Sequence, residues 1–443
     1  MWRQKNNTIL VLLIIVTVNF MLPPVCAGTT TLEGEKYAPS SSSFQDPKPV
    51  TKKTDTVTVG YILGGGIQNS YNKNEYPAYS GPQPLYTPYR NGYRFVGWYT
   101  DAGLRHVIKT IPTDQNDHYI LYAKWTAKIN NYSNVESYTY HKKESKLEKN
   151  RVLLKDLSYS FYNEIDIPGM PDTKEEDVLK KYIFSASQCP QGICLTEEFV
   201  LISSYSTEDD CMGELMVFDR ESGAYLVTLG MDENSHLGGI AFDGDNIWVC
   251  NSYEKCVERI SYDFIQLMAY QNKGEVVDAR DVVDEFPVKN TPSCITVYGG
   301  RLWIATHTLL VNSRMVAYYL DKNTDKLVAL SDYTIPSKVQ GVAFDESGTV
   351  YLSTSYGRNE SSYLYCYDSI TALTTRPKRP RVKVEMPPAS EELDVNDGIL
   401  YILFESAGEK YLEGTDGKGK SLFPLDKILK IPVTELDGNG SST

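Results

Sequence analysis

One pattern recurs five times in the last 250 residues of this chain. A small-residue turn leads into an apolar strand, a turn bearing Asp, Gly or Glu follows, and a second apolar strand comes after it. The paired segments are 191–195 with 199–204, 238–242 with 247–251, 293–297 with 302–306, 340–344 with 350–354, and, more weakly, 391–395 with 400–404. First strands begin at 191, 238, 293, 340 and 391, so the spacings are 47, 55, 47 and 51 residues. Each unit offers a third strand, at 214–219, 257–261, 315–321, 363–368 and 427–432. Four units offer a fourth, at 225–231, 266–270, 327–335 and 381–386. The fifth has none of its own, while 181–186, just before the first unit, reads as the missing strand. Repetition on this scale means an array of like units that bury a core between neighbours. The expected fold is mainly β, a five-bladed β-propeller over 178–443 in which the front strand completes the last blade. Six blades is the alternative, because 152–161 is apolar enough to hold a further strand. Two β-sandwiches would also give strands every 8–12 residues, but neither the four-strand period nor the spare strand.

The segments ahead of the repeats set compartment and organisation. Residues 1–7 carry Arg3 and Lys5 and no acid, 8–22 are almost unbroken apolar, and Val25-Cys26-Ala27 offers a small-residue cleavage site. That is the layout of a secretory signal peptide over 1–27. The apolar run falls short of the roughly 20 residues a spanning helix needs, though an uncleaved anchor is the alternative. The chain is therefore expected to be secreted or held at the bacterial cell envelope or surface, without membrane insertion after cleavage. Residues 28–54, rich in Thr, Ser, Pro and Lys, read as a flexible linker, and the polar, charged stretch within 128–177 as a second one. With 44 Lys+Arg against 57 Asp+Glu, the net charge of −13 argues against nucleic acid as a partner. Five His and no paired CxxC spacing argue against a metal site, and no cofactor motif is present. Seven cysteines follow the leader, and an odd count leaves at least one thiol unpaired. Cys189 with Cys211 and Cys250 with Cys256 are the candidate disulfides, buried thiols the alternative. Cys194, Cys294 and Cys366 fall within strands and read as small core residues.

Residues 55–127 form a separate, aromatic-rich block. An alternating strand, Thr56-Val57-Thr58-Val59-Gly60-Tyr61, is broken by Gly64-Gly65-Gly66. Its centre reads Arg90-Asn91-Gly92-Tyr93-Arg94-Phe95-Val96-Gly97-Trp98-Tyr99, and it closes with Leu121-Tyr122-Ala123-Lys124-Trp125. These motifs resemble the Listeria/Bacteroides repeat, also called the internalin B-repeat, in a single copy. The resemblance implies a small β-grasp-like module of bacterial surface and secreted proteins. Tyr93, Phe95, Trp98 and Trp125 are best read as the core of a domain too small to do without large apolar side chains, rather than as a binding platform. The larger region resembles bacterial YVTN/quinoprotein-like propellers, an analogy of fold that says little about chemistry.

In a four-stranded blade, the loop entering strand one and the loop joining strands two and three share a face. On that face fall the candidate ligand-binding residues Gln191, His236, Asn251, Tyr253, His307, Gln340, Tyr356, Glu391 and Glu405, with Tyr205, Arg358 and Glu392 on the same loops. No nucleophile elbow, HExxH, phosphate loop or complete calcium loop occurs. The expected function is therefore a non-enzymatic surface protein binding a glycan or protein ligand through this face. The alternative is a carbohydrate-active hydrolase or lyase using Glu391 or Glu405, since such enzymes work through paired carboxylates.

Overall fold

A computed structural model describes residues 56–66, 68–69, 71–88, 90, 93–115, 117–127, 152–153, 157–165, 188–207, 211–233, 236–271 and 275–437. The expected leader, the 28–54 linker and the strand expected at 181–186 lie outside the described residues. The protein is mainly β, built from small sheets whose strands pair chiefly antiparallel.

The first sheet belongs to the aromatic-rich block. It is made of β1 (Thr56–Ile62), β2 (Glu75–Pro77), β4 (Tyr93–Tyr99), β5 (Val107–Ile108) and β7 (His118–Ala127), in the order β2-β1-β7-β4-β5. The short strands β3 (Gln83–Pro84) and β6 (Thr110–Ile111) pair with each other. Strand alternation sends Val57, Val59, Trp98, Leu121 and Ala123 to one buried cluster. Trp98 is buried, and its indole N–H donates to the Tyr86 carbonyl at 3.1 Å. Phe95 lies edge-on to both Trp98 and Trp125, with centroids 5.4 Å apart in each pair. Three of the four expected core aromatics thus meet. Tyr93 is instead half-buried, with the Arg90 guanidinium 3.6 Å from its ring centroid.

The large region begins with two short strands, β8 (Val152–Leu153) and β9 (Ser160–Tyr162), inside the stretch expected to be linker. The first repeat unit supplies β10 (Cys189–Leu195), β11 (Phe199–Tyr205), β12 (Met212–Asp219) and β13 (Tyr225–Glu233). The second supplies β14 (Ile240–Phe242), β15 (Asn246–Asn251) and β16 (Cys256–Ser261). After β16 comes helix α1 (Tyr262–Gln271), where a fourth strand at 266–270 was expected. Ile265 and Ala269, four residues apart, form the buried side of that helix. β17 (Glu275–Asp278) then adds to β13 in parallel, and β18 (Asp284–Pro287) is the actual fourth strand of the second sheet. The third sheet is β19 (Cys294–Tyr298), β20 (Arg301–Ala305), β21 (Ser313–Asp321) and β22 (Lys326–Ile335). The fourth is β23 (Val339–Phe344), β24 (Val350–Thr354), β25 (Ser362–Tyr367) and, after helix α2 (Ile370–Thr375), β26 (Val382–Met386), with β8 added in parallel. The fifth contains β27 (Ser390–Asn396), β28 (Ile399–Phe404) and, beyond the short helix α3 (Glu409–Leu412), β29 (Ile428–Pro432). Its fourth strand is β9, whose Phe161 lies opposite Leu429. The front strand that joins the last sheet is therefore 160–162.

The first strands touch in succession, β10 to β14, β19, β23 and β27, and β27 touches β10. Five apolar clusters lie between consecutive sheets, one of them between the fifth and the first. Along β11, Val200 and Ile202 enter one cluster while Phe199 and Leu201 enter the other. Strands buried on both faces explain why these segments read as nearly continuous apolar runs.

All seven described cysteines are buried thiols, so the two expected disulfides are absent. Cys189 and Cys211 lie at the ends of strands separated by β11. Two strand spacings put such positions roughly 10 Å apart, beyond the reach of a bridge. Cys250 pairs opposite Val257 and Cys256 opposite Asn251, which sends the two sulfurs to opposite faces of the sheet.

Candidate functional site

Three of the five first strands carry a β-bulge at the same place. The register slips between Pro190 and Gly192, between Val339 and Gly341, and between Ser390 and Leu393. Bulges re-aim side chains, and here Gln340 meets Glu391 while Gln191 meets Glu405. Gln340 Nε2 donates to Glu391 Oε1 at 3.0 Å, and Gln191 Nε2 donates to Glu405 Oε2 at 3.0 Å.

The next residue along each strand faces the centre where the first strands meet. In three units it is glycine (Gly192, Gly239, Gly341), in one it is Cys294, and in the last it is Glu392. The Glu392 side chain fills the space the glycines leave. A Cβ on Gly192 would come within 2.9 Å of its Oε2, and one on Gly341 within 2.8 Å of its Cα. Its carboxyl accepts from the backbone N–H of Ile240 at 2.8 Å, Ile193 at 3.0 Å and Ile295 at 3.3 Å, groups from three other strands. Burial pushes this carboxyl well above the ordinary range, against the pull of the three amides. Asp394, two residues on, accepts from Leu195 N at 2.9 Å, and burial raises its pKa to about 6.

Beside this centre, a cleft of about 550 Å³ opens between the fourth and fifth sheets, lined among others by His307, Gln340, Tyr356, Glu391, Glu405 and Lys410. The volume lies within the range of small-molecule sites, about 300–1,000 Å³. Its floor is a pair of neighbouring carboxyls, Glu391 and Glu405, and burial followed by the Glu405 carboxylate raises the Glu391 pKa well above the usual range. Burial beside a second carboxylate favours the protonated form of Glu391. Glu405 in turn accepts from Gln191 Nε2, from the Tyr411 hydroxyl and from Lys410 Nζ, the last at 3.4 Å. The Lys410 ammonium also donates to the Tyr205 hydroxyl and lies 4.6 and 4.5 Å from the ring centroids of Tyr205 and Tyr411. Burial opposes its charge, but Glu405 chiefly outweighs burial and holds the ammonium above its usual pKa. Behind it, burial pushes the Cys189 thiol up to about 12, so this cysteine is no nucleophile.

A flap between β28 and β29 supplies one wall. Arg358, from the β24–β25 loop, anchors it by an ion pair to Asp416 at 2.7 Å and by donating to the carbonyls of Lys410 and Gly419. On the other side, His307 Nδ1 lies 3.1 Å from the Val339 carbonyl. A carbonyl only accepts, so Nδ1 carries the hydrogen and Nε2 is left as an acceptor. Burial lowers the His307 pKa, which keeps the ring neutral.

Of the expected binding residues, His307, Gln340, Tyr356, Glu391 and Glu405 line the cleft, and Gln191 lies beneath it. His236 stacks on Tyr205, with centroids 4.3 Å apart, and burial lowers its pKa. Asn251 is buried within β15, where its amide donates to Glu258 at 2.6 Å and its oxygen accepts from Glu254 N. It is a strand-end brace, not a surface ligand. Tyr253 is exposed and outside the cleft lining. Sequence reasoning missed Lys410 and Tyr411. The signal was the 23-residue gap between β28 and β29, carrying four glycines, since loops of that length are usually functional. Among the described residues there is no group of three or more His, Cys, Asp or Glu suited to a metal ion, and no helix is long and apolar enough to cross a membrane.

Residues 56–124 match the model of the Listeria-Bacteroides repeat domain, a bacterial surface-associated repeat. No curated protein matches the chain. Among solved structures, it is similar to a chain of the nidogen/laminin complex at 13% identity, over 54% of this chain and 83% of that one, with a TM-score of 0.34. It is similar to the glutaminyl cyclase of Myxococcus xanthus at 10% identity, over 55% of this chain and 92% of that one, with a TM-score of 0.33.

Proposed function

We propose that the five sheets are the blades of a five-bladed propeller in an exported bacterial surface protein, and that the cleft between the fourth and fifth blades binds a glycan or protein ligand without turning it over. The observation that carries this reading is the state of the carboxyl pair. Glycosidases hold their two carboxyl groups about 5–5.5 Å apart, or about 6.5–9.5 Å apart, with the sugar between them. Glu391 and Glu405 are instead already occupied by this chain: Gln340 donates to Glu391, and Gln191, Lys410 and Tyr411 engage Glu405. Neither is open to attack a glycosidic carbon or activate a water. The pair acts as a rigid floor that positions Gln340 and the flap.

The test is a polysaccharide and protein panel assayed for both binding and hydrolysis, with wild type, Glu391→Gln and Glu405→Gln. Saturable binding without product is expected, and it survives in Glu391→Gln. Hydrolysis that disappears in either variant would overturn the binding reading in favour of the hydrolase.

A further inference from the structure

The charges of the cleft largely cancel. Arg358 is paired with Asp416 and Lys410 with Glu405, and Gln340 donates to Glu391, whose charge burial disfavours. Lys418 and Glu360 also line the cleft and oppose each other in sign. An ionic ligand finds no unmatched counter-charge on the floor, and burying one there would leave its charge uncompensated.

Among the groups left to recognise a ligand are two acceptors and one ring. Gln340 donates one amide N–H to Glu391, and its Oε1 has no intramolecular partner among the described residues. His307 presents a bare Nε2 once Nδ1 is committed to Val339. Tyr356 is 51% exposed, and the Lys338 ammonium 4.8 Å from its ring centroid holds the side chain in place. Two acceptors beside a half-exposed aromatic ring call for a ligand with hydroxyl donors and an apolar face.

Resting on the reading of the cleft as a binding site, we propose that its ligand is an uncharged, hydroxyl-rich sugar unit that stacks on Tyr356 and donates hydroxyls to His307 Nε2 and Gln340 Oε1. The paired floor offers charged glycans and basic peptides no counter-charge there, and the site favours the neutral sugar over them.

Calorimetric titration of the full chain tests this, using neutral glucan, galactan, mannan and xylan oligomers, a polyuronate oligomer, a glucosamine oligomer and a lysine-rich peptide. Each probe is run at low and high salt. At least one neutral oligomer is expected to bind, with an affinity that changes less than about twofold with salt, because no ion pair forms to be screened. Tyr356→Ala and His307→Phe should each weaken it by about tenfold, the cost of one well-buried contact. Circular dichroism melts of both variants establish that they are folded. Preferential, salt-sensitive binding of a charged probe overturns the uncharged ligand while leaving the proposed function intact. Neutral binding unmoved in both variants places the sugar elsewhere and overturns the assignment. Silence from every probe sinks this inference and the glycan half of the proposed function together.

Discussion

Glu391 and Glu392 are adjacent in one bulge, yet they serve two regions that work in opposite ways. At the centre, Glu392 faces only backbone: three amides from three other strands converge on it, and glycines make room for it. In the cleft, Glu391 faces only side chains, a carboxyl, an amide and the nearby ammonium of Lys410. A backbone donor cannot be replaced by substitution or turned to another rotamer, so the first region is fixed by geometry. A side-chain network can be re-tuned residue by residue, which suits a recognition surface. Buried polar groups are costly unless satisfied in either setting, but only the first ties several sheets together.

The sharpest way to break this contrast is Glu392→Ala. Three amides lose their acceptor at about 1–3 kcal/mol each, so a loss of about 3 kcal/mol or more is expected in urea unfolding. A variant within experimental error of wild type would show that the centre does not depend on this carboxyl. Next in size is Gly239→Ala, whose Cβ would lie 2.7 Å from the Cys294 Cα and 3.0 Å from the Ile295 nitrogen. Backbone cannot yield as a side-chain tip does, so overpacking should cost about 1–3 kcal/mol, read from the same unfolding curves. The smallest effect belongs to Glu391→Gln, because glutamine mimics a carboxyl that already holds a proton. At pH 5 the variant should lie within about 1 kcal/mol of wild type. The sign of its pH dependence follows from linkage: a carboxyl with a raised folded pKa contributes fully below its unfolded value of about 4.3, and that contribution is lost as pH rises. Wild type should therefore fall relative to Glu391→Gln by up to about 1.4 kcal/mol per pH unit above pH 5. Parallel profiles for the two proteins would mean that Glu391 is ionised in the folded state.

Much of the architecture was legible because these strands are buried on both faces. The paired runs, the period near 50 and the approximate ends of most strands follow from apolar continuity alone. The 266–270 segment misled because Leu267 and Met268 read as strand, while the informative pair was Ile265 and Ala269 at helical spacing. The strand that joins the fifth sheet escaped notice because Ser160–Tyr162 is only three residues long, and its partner β29 lies some 270 residues away in sequence. In the site, Gln191, Gln340, Glu391 and Glu405 were visible as polar residues breaking an apolar pattern. Asn251 broke the same pattern for a different reason, as a brace to Glu258. Lys410 and Tyr411 obey no periodicity, since their positions are set by the glycine-rich flap and its anchor Arg358.

The strand Ser160–Tyr162 also shapes how the molecule comes into being. Its partner Ile428–Pro432 is made some 270 residues later, so the fifth sheet cannot form until that strand has been synthesised. Closing a loop of that length adds little entropy cost beyond what a shorter loop would incur, because the penalty grows only with the logarithm of length. Order of assembly, rather than energy, is what the arrangement changes. A chain that stops before residue 428 leaves Tyr162 and the apolar faces of its neighbours uncovered. Products cut short of that strand are thereby marked by exposed surface.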